Sequence, residues 1–78
     1  MPRLPRCSAR EVVRVLEHLG FARVRVRGSH WIFRHRDTKR RVVVPHHGPR
    51  IIPPGTMANI VRETGVSLDE FERLLRTV

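Results

Sequence analysis

An alternating pattern on both sides of the dipeptide Gly28-Ser29 constrains the fold more than any other part of this sequence. Arginine alternates with valine from Arg23 to Arg27, and the run that begins at His30 alternates in a matching phase. Two alternating runs joined by two turn residues predict an antiparallel β-hairpin. Glycine at the first turn position favours a type II′ turn, because that position needs a positive φ. We therefore predict strands over 21–27 and 30–36, with a structural role for Gly28.

One register of this hairpin separates polar from apolar residues. The open face would carry His30 next to Arg27, and the other face would carry apolar side chains that pack against helices. Trp31 and Phe33 are accordingly expected in the core rather than as base-stacking residues. The predicted pairs are Arg27–His30, Arg25–Ile32 and Arg23–Arg34 on the open face, and Val26–Trp31 and Val24–Phe33 on the core face.

The rest of the chain adds helices and one more strand. Capping-box spacing from Ser8 predicts a first helix that ends at Gly20, and the same spacing from Ser67 predicts a short last helix. Between them come a turn over 37–40, a third strand over 41–44, a proline- and glycine-rich loop over 45–55, and a second helix that Thr56 caps and that ends near Gly65. The predicted fold is α+β, one domain over 1–78, ordered α-β-β-β-α plus a short C-terminal helix, with a three-stranded antiparallel sheet covered on one face.

The net charge indicates a polyanionic partner. The 78 residues include 16 Lys and Arg against 7 Asp and Glu, a formal charge of +9, and all these cations but Lys39 are arginine, which favours bidentate contacts with phosphate. Charge alone does not distinguish a nucleic acid from an acidic protein or an anionic membrane.

No apolar run approaches the roughly 18 residues needed to span a bilayer. Cys7 is the only cysteine. We therefore expect a cytoplasmic protein without membrane contact.

His30 is the candidate catalytic residue. A neutral imidazole held beside fixed cations can take a proton from a hydroxyl group while the cations hold an adjacent phosphate. RNA supplies both groups, since its ribose 2′-hydroxyl lies next to the phosphate that it can attack. The cations of Arg27 and Arg34 would favour the neutral, basic form of His30. This chemistry needs neither a metal nor a cofactor, and we predict neither, because the histidines lack recognised zinc-ligand spacing.

Other polar residues are candidates for holding RNA or for supporting the fold. Ser29 is a possible hydrogen-bond donor to a phosphate. We predict structural roles for two histidines. His35 is expected to pair with Ala22 on the core face, and His46 is expected to cap backbone groups of its loop. The predicted RNA-binding residues are Arg23, Arg25, Arg27, Ser29, Arg34, Arg36, Lys39 and Arg40, with Arg41 beside them at the far turn.

Several segments together resemble one known family. They are Gly28-Ser29-His30 with Trp31-Ile32-Phe33, Val42 to His46, Pro54 to Ile60, and Gly65-Val66-Ser67 with Phe71. In this order they are similar to the HicA-type (YcfA-like) toxin family over nearly the whole chain. The resemblance implies a fold similar to double-stranded-RNA-binding domains, ribosome-independent cleavage of mRNA (an mRNA interferase) and inhibition by a HicB-type antitoxin. It also implies that His30 is the catalytic histidine and that an acidic antitoxin covers the arginine face.

Two other functions are compatible with the sequence. A non-catalytic double-stranded-RNA-binding module would share the fold and would tolerate replacement of His30 by alanine. The segment from Ile60 to Leu75 also resembles a helix-turn-helix DNA reader. Its second helix begins with Asp69, Glu70 and Glu72, however, and DNA phosphates would repel these carboxylates.

Overall fold

A three-stranded antiparallel sheet forms the frame on which the helices pack. A computed structural model describes residues 4–78 of the chain. β2 is the central strand and pairs with β1 on one side and with β3 on the other. The predicted α+β class and element order are confirmed. None of the helices described is long and apolar enough to cross a membrane. The elements are α1 (Ala9–Leu19), β1 (Phe21–Arg27), β2 (His30–His35), β3 (Arg41–Pro45), α2 (Pro54–Thr64) and α3 (Leu68–Thr77).

The ends of α1 and α3 follow from their capping residues. The Ser8 side chain accepts a hydrogen bond from the Glu11 backbone N–H, and the Glu11 carboxylate accepts one from the Ser8 N–H at 3.0 Å, which completes a capping box. Gly20 ends α1 in a left-handed conformation with φ of 102°. At α3 the Ser67 hydroxyl accepts from the Glu70 N–H at 3.1 Å. These predicted boundaries are confirmed.

The start of α2 differs from the prediction. The helix begins at Pro54 with Pro53 as its N-cap residue, and no side chain caps it. Thr56 therefore lies inside the first turn, and the prediction that it caps the helix is wrong. Proline suits the first helical position because its fixed φ is already helical and its missing N–H would have no partner there. The predicted end at Gly65, in a left-handed conformation, is confirmed.

The hydrophobic core lies between the helices and one face of the sheet. Phe33 from β2 and Phe71 from α3 are its largest fully buried side chains. α1 packs against β1, β3 and α3, and α2 packs against β3. Burial of one such large apolar side chain contributes about 1.5–3 kcal/mol relative to exposure. Other fully buried core residues are Val12, Val15, Leu16, Val42, Val44, Met57 and Ile60.

A β-bulge changes the register of the hairpin in its second half. The three pairs nearest the turn, Arg27–His30, Val26–Trp31 and Arg25–Ile32, are those predicted. The register then shifts between Arg23 and Arg25, which leaves Val24 outside the paired positions. The predicted Arg23–Arg34, Val24–Phe33 and Ala22–His35 pairs are therefore wrong. The observed pairs are Arg23–Phe33, Ala22–Arg34 and Phe21–His35.

The bulge exists because Phe21 is out of phase with the valines of β1. Unbroken alternation that buried Val24 and Val26 would turn Phe21 toward the open face. The extra residue reverses the phase, so Phe21 is only 4 % exposed and joins the core cluster. Val24 lies at the bulge and is 57 % exposed, whereas Val26 keeps its predicted pair with Trp31 but is 48 % exposed. The predicted burial of both valines is therefore wrong. The same reversal moves the Arg23 side chain from the predicted open face to the side of Trp31 and Phe33.

Candidate functional site

His30 begins β2 directly after the tight turn that joins it to β1. Gly28 has a positive φ of 57°, and Ser29 does not share it, which is the pattern of a type II′ turn. The predicted conformation of Gly28 is thus confirmed. The His30 side chain is exposed, and within residues 4–78 no hydrogen bond engages its ring nitrogens. Its imidazole is therefore free to meet a ligand at the end of the sheet.

The face that carries His30 also carries several arginines. Arg27 is the register partner of His30 on β1, and Pro45 is its partner on β3. Ile32 lies on the same face and is 8 % exposed, although it is outside the main core cluster. We call this surface the open face. Its cations are Arg25 and Arg27 from β1, Arg34 from β2 and Arg41 from β3, all of them exposed.

These cations have no carboxylate partners among the described residues. The ion pair that the described part of the chain contains is on α3, where Arg73 Nε lies 2.6 Å from Glu70 Oε1. The open face therefore presents uncompensated positive charge, which a polyanion can neutralise. Of the predicted RNA-binding residues, Arg25, Arg27 and Arg34 lie on this face, and Ser29 lies in the adjoining turn. Arg41, which is predicted beside the far turn, also lies on this face, because it is the register partner of Arg34.

The other predicted RNA-binding residues lie elsewhere. Arg36, Lys39 and Arg40 belong to the turn between β2 and β3, at the opposite end of β2 from His30. The Lys39 ammonium donates to the Arg36 carbonyl at 2.8 Å. The Arg40 guanidinium lies so close to Gly65 that a Cβ there would collide with it, so Arg40 borders the C-terminus of α2. This turn therefore lies at the far end of the sheet from His30, where it adjoins the open face through Arg34, whose guanidinium donates to the Lys39 carbonyl at 3.4 Å.

Arg23 and His46 hold Trp31 on the helix side of the sheet. The His46 ring stacks on the indole with centroids 3.9 Å apart, and the Arg23 guanidinium lies 4.5 Å from the indole centroid. β1 and β3 flank β2, so these two groups approach Trp31 from its two sides. Trp31 is half-buried and packs against the core, as predicted, although its faces are covered by polar neighbours. The predicted open-face position of Arg23 is wrong, because the bulge turns it to this stack.

His35 in the sheet and His46 in the loop after β3 are hydrogen-bonded to backbone groups. His35 Nε2 lies 2.8 Å from the Leu19 carbonyl, and its Nδ1 accepts from the N–H groups of Asp37 and Thr38, each at 3.1 Å. These contacts require the neutral tautomer with its proton on Nε2. His46 Nδ1 accepts from the Gly48 N–H at 3.3 Å, which confirms the predicted capping role. Both side chains therefore serve the fold.

Cys7 and the acidic residues form no reactive or metal-binding cluster within residues 4–78. Burial raises the pKa of the Cys7 thiol to about 11, and the Glu11 carboxylate acts in the same direction. The thiol donates to Met57 Sδ at 3.6 Å inside the core. No three His, Cys, Asp or Glu side chains of the described residues converge as metal ligands. The chemistry of the site therefore centres on the His30 imidazole and the guanidinium groups beside it.

Comparison with known protein families finds a match to this chain. The family described as HicA toxin of bacterial toxin-antitoxin matches residues 9–66. The match begins with α1, includes the whole sheet with His30, and ends just after α2. A search of the curated proteins returns no match to this sequence. The matched segment spans most of the chain, and the chain belongs to the HicA toxin family of bacterial toxin-antitoxin systems.

Proposed function

We propose that this toxin is a metal-independent endoribonuclease that cleaves mRNA with His30 as its general base. The observation that carries the proposal is the place of His30, exposed on the open face between Arg27 and Pro45 and without an internal hydrogen bond within residues 4–78. A catalytic base must be free to reach the hydroxyl that it deprotonates. The cations must lie on the same face in order to hold the phosphate, and Arg27 does.

The reaction uses the substrate's own hydroxyl as nucleophile. His30 accepts the proton of a ribose 2′-hydroxyl, and the 2′-oxygen attacks the adjacent phosphorus. The bond from phosphorus to the 5′-oxygen of the next nucleotide breaks, and the departing 5′-oxygen takes up a proton from water or from a second residue, which leaves a 2′,3′-cyclic phosphate and a 5′-hydroxyl end. The guanidinium of Arg27 stabilises the negative charge that develops on the phosphoryl oxygens. A positioned base of this kind contributes about 10²- to 10⁴-fold to the rate.

The arginines of the open face hold the RNA backbone. Arg25, Arg27 and Arg34 are exposed and lie along two neighbouring strands, so successive phosphates can contact them. Ser29, next to His30 in the turn, is the candidate donor to the phosphate that is cleaved. Binding through such contacts weakens steeply with salt, because each neutralised phosphate releases counterions.

The antitoxin of the pair binds the same surface in this proposal. Membership of the family implies an antitoxin partner. A HicB-type antitoxin with an acidic surface would neutralise Arg25, Arg27 and Arg34 and would cover His30 at the same time. One contact surface would thus block both RNA binding and catalysis.

The test compares the wild type with His30→Ala on a defined RNA and on a DNA of the same sequence, with chelator present throughout. We expect the wild type to cut the RNA into products with 2′,3′-cyclic phosphate ends and to leave the DNA whole, since DNA lacks the nucleophile. His30→Ala should lose at least 100-fold in rate while it keeps its RNA affinity. His18→Ala, at an exposed position on α1, is the matched control and should behave as the wild type.

The outcomes also separate the competing functions. Cleavage retained by His30→Ala would remove His30 from the mechanism. A wild type that binds duplex RNA and never cuts it would instead favour the non-catalytic double-stranded-RNA-binding module. The helix-turn-helix alternative requires α3 to approach DNA phosphates, and the first turn of α3 carries Asp69 and Glu70. Sequence-specific binding of duplex DNA would be needed to support it.

A further inference from the structure

The loop that follows β3 is fixed at the His30 end of the sheet. The His46 N–H donates to the Ser29 carbonyl at 2.6 Å, and the His46 ring stacks on Trp31. Ser29 and Trp31 are the residues on either side of His30 in the chain. The loop is therefore attached to both sequence neighbours of the proposed base, which fixes its position relative to His30.

A tight turn in this loop brings His47 and Arg50 close together. The Arg50 N–H donates to the His47 carbonyl at 3.4 Å, and Gly48 between them has a φ of 64°. A turn closed in this way brings its first and fourth residues within about 7 Å of each other. His47 and Arg50 are both exposed, and both line one cavity of about 240 Å³.

One residue connects this cavity with His30. Pro45 lines the cavity and is also the β3 register partner of His30. Cross-strand partners of an antiparallel pair have Cα atoms about 4.5–5.5 Å apart and point to the same face. Ile51, Ile52 and Pro53 complete the lining and give it an apolar wall. The cavity thus offers an apolar surface, a guanidinium and an imidazole, and it begins at the residue that pairs with the proposed catalytic base.

The cleavage reaction needs a proton donor that the open face does not contain. The ionisable side chains that share this face with His30 are arginines, and a guanidinium does not release its proton in proteins. His46 is unsuited to the task, because its ring is stacked on Trp31 and its Nδ1 accepts from Gly48. His47 lies in the same loop with an exposed side chain, and an imidazole can donate a proton near neutral pH.

Resting on the nuclease proposal above, we propose that His47 is the proton donor to the leaving 5′-oxygen and that its cavity binds the nucleotide on the 3′ side of the cleaved bond. His30 gains the proton of the 2′-hydroxyl as the 2′-oxygen bonds to phosphorus. The imidazolium of His47 gives its proton to the 5′-oxygen as the phosphorus–oxygen bond breaks. Exchange of one proton with water at each histidine restores both. Arg50 contacts the 3′-phosphate of the departing nucleotide, and the base of that nucleotide packs against the apolar wall of the cavity.

A substrate whose leaving 5′-oxygen is replaced by sulfur tests this role directly. A thiol has a pKa of about 8.5, so a thiolate leaves without a proton donor. We expect His47→Gln to cut the ordinary RNA at least 100-fold more slowly than the wild type and the sulfur-bridged RNA within about threefold of it. His30→Ala should be slow on both substrates. Arg50→Ala should raise KM with little change in kcat, and Arg76→Ala on α3 should change neither.

Recovery on the sulfur substrate also serves as the folding control, because a misfolded variant would recover on neither substrate. Equal losses of His47→Gln on both substrates, or no loss on the ordinary RNA, would overturn the assignment of His47 and leave the proposed role of His30 intact. Failure of the wild type to cut either RNA would overturn both proposals. A loss for His30→Ala together with recovery for His47→Gln supports both.

Discussion

His35 gives the most direct stability test of the structure, because its side chain joins three parts of the fold. Its ring bonds to the end of α1 through the Leu19 carbonyl and to the following turn through two backbone N–H groups. It also meets the Phe21 ring edge-on, with centroids 5.1 Å apart and planes at 81°. Replacement of His35 by alanine removes all of these contacts at once and should destabilise the protein without touching the open face.

The magnitude follows from the contacts. Three hydrogen bonds at about 0.5–1.5 kcal/mol each set an upper range of about 4.5 kcal/mol, and the aromatic pair adds about 0.5–1.5 kcal/mol. The amides of Asp37 and Thr38 are exposed and regain water when the ring is gone, so the hydrogen bonds count near the low end. We expect His35→Ala to lower the free energy of unfolding by about 2–3 kcal/mol. For a chain of this size that corresponds to a fall in Tm of about 10–20 °C.

Urea denaturation followed by circular dichroism measures the change, with His18→Ala as the exposed-histidine control. His18→Ala should fall within about 0.5 kcal/mol of the wild type. The urea midpoint should fall for His35→Ala with an unchanged m-value, since the folded structure is retained. RNA cleavage, measured well below the new Tm, should stay near the wild-type rate. A stability loss under about 0.5 kcal/mol would refute the structural role, and a large loss of rate in the folded variant would show that the role is not only structural.

Three further predictions concern the turns, the buried thiol and the basic surface. Gly28→Ala should lower the free energy of unfolding by about 1 kcal/mol through its positive φ alone, because a Cβ there meets open space. Gly20→Ala should lower it further, because its Cβ would lie 2.9 Å from the His35 ring, and equal urea midpoints for the two variants would contradict this. Because the folded state raises the pKa of Cys7 from 9.0 to about 11, the contribution of the buried thiol to stability is complete below about pH 9 and is lost as the pH rises through 11. Alkylation of Cys7 at pH 8 should be far slower in the folded protein than in urea, and similar rates would refute the burial. Arg25→Ala should reduce the slope of log RNA affinity against log salt by about 0.7–0.9, and Arg76→Ala should leave it unchanged; identical slopes would exclude Arg25 from the interface.

The sequence predicts the hairpin best where its signals are local. The Gly28 turn and the pairs beside it depend on residues close in the chain, and alternation in both strands agrees there. The sequence does not predict the bulge, because Val24 and Val26 by themselves form an equally good alternating pattern. The signal against it was Phe21, an aromatic residue in the opposite phase, whose burial requires the register to shift. Whether Phe21 or the valines are buried depends on where α1 packs against the sheet, and alternation along one strand does not contain that information.

The second half of the candidate site shows the same limit. The segment after β3 was predicted as a connecting loop because of its prolines and glycines. Its backbone is instead set by contacts with residues far away in sequence, namely Ser29 and Trp31. The succession His47-Gly48-Pro49-Arg50 is typical of a tight turn, and that signal alone could have predicted that its two end residues lie together. The place of the turn relative to His30 could not be predicted, because it depends on the register of β3 against β2, which sets Pro45 opposite His30.

The position of β1 at the edge of the sheet has a consequence for the behaviour of the free protein. The edge at β3 is guarded, since the Val43 N–H donates to the Glu63 carboxylate at 3.4 Å. The edge at β1 carries the exposed side chains of Val24 and Val26, and an exposed apolar edge strand favours pairing with the edge strand of a second copy. Two copies joined in this way would bring Arg25 and Arg27 of each close to those of the other, and the bulge makes the edge uneven. Mutual repulsion should therefore oppose association of the free molecules, and a polyanion that neutralises these arginines should weaken that protection against clustering.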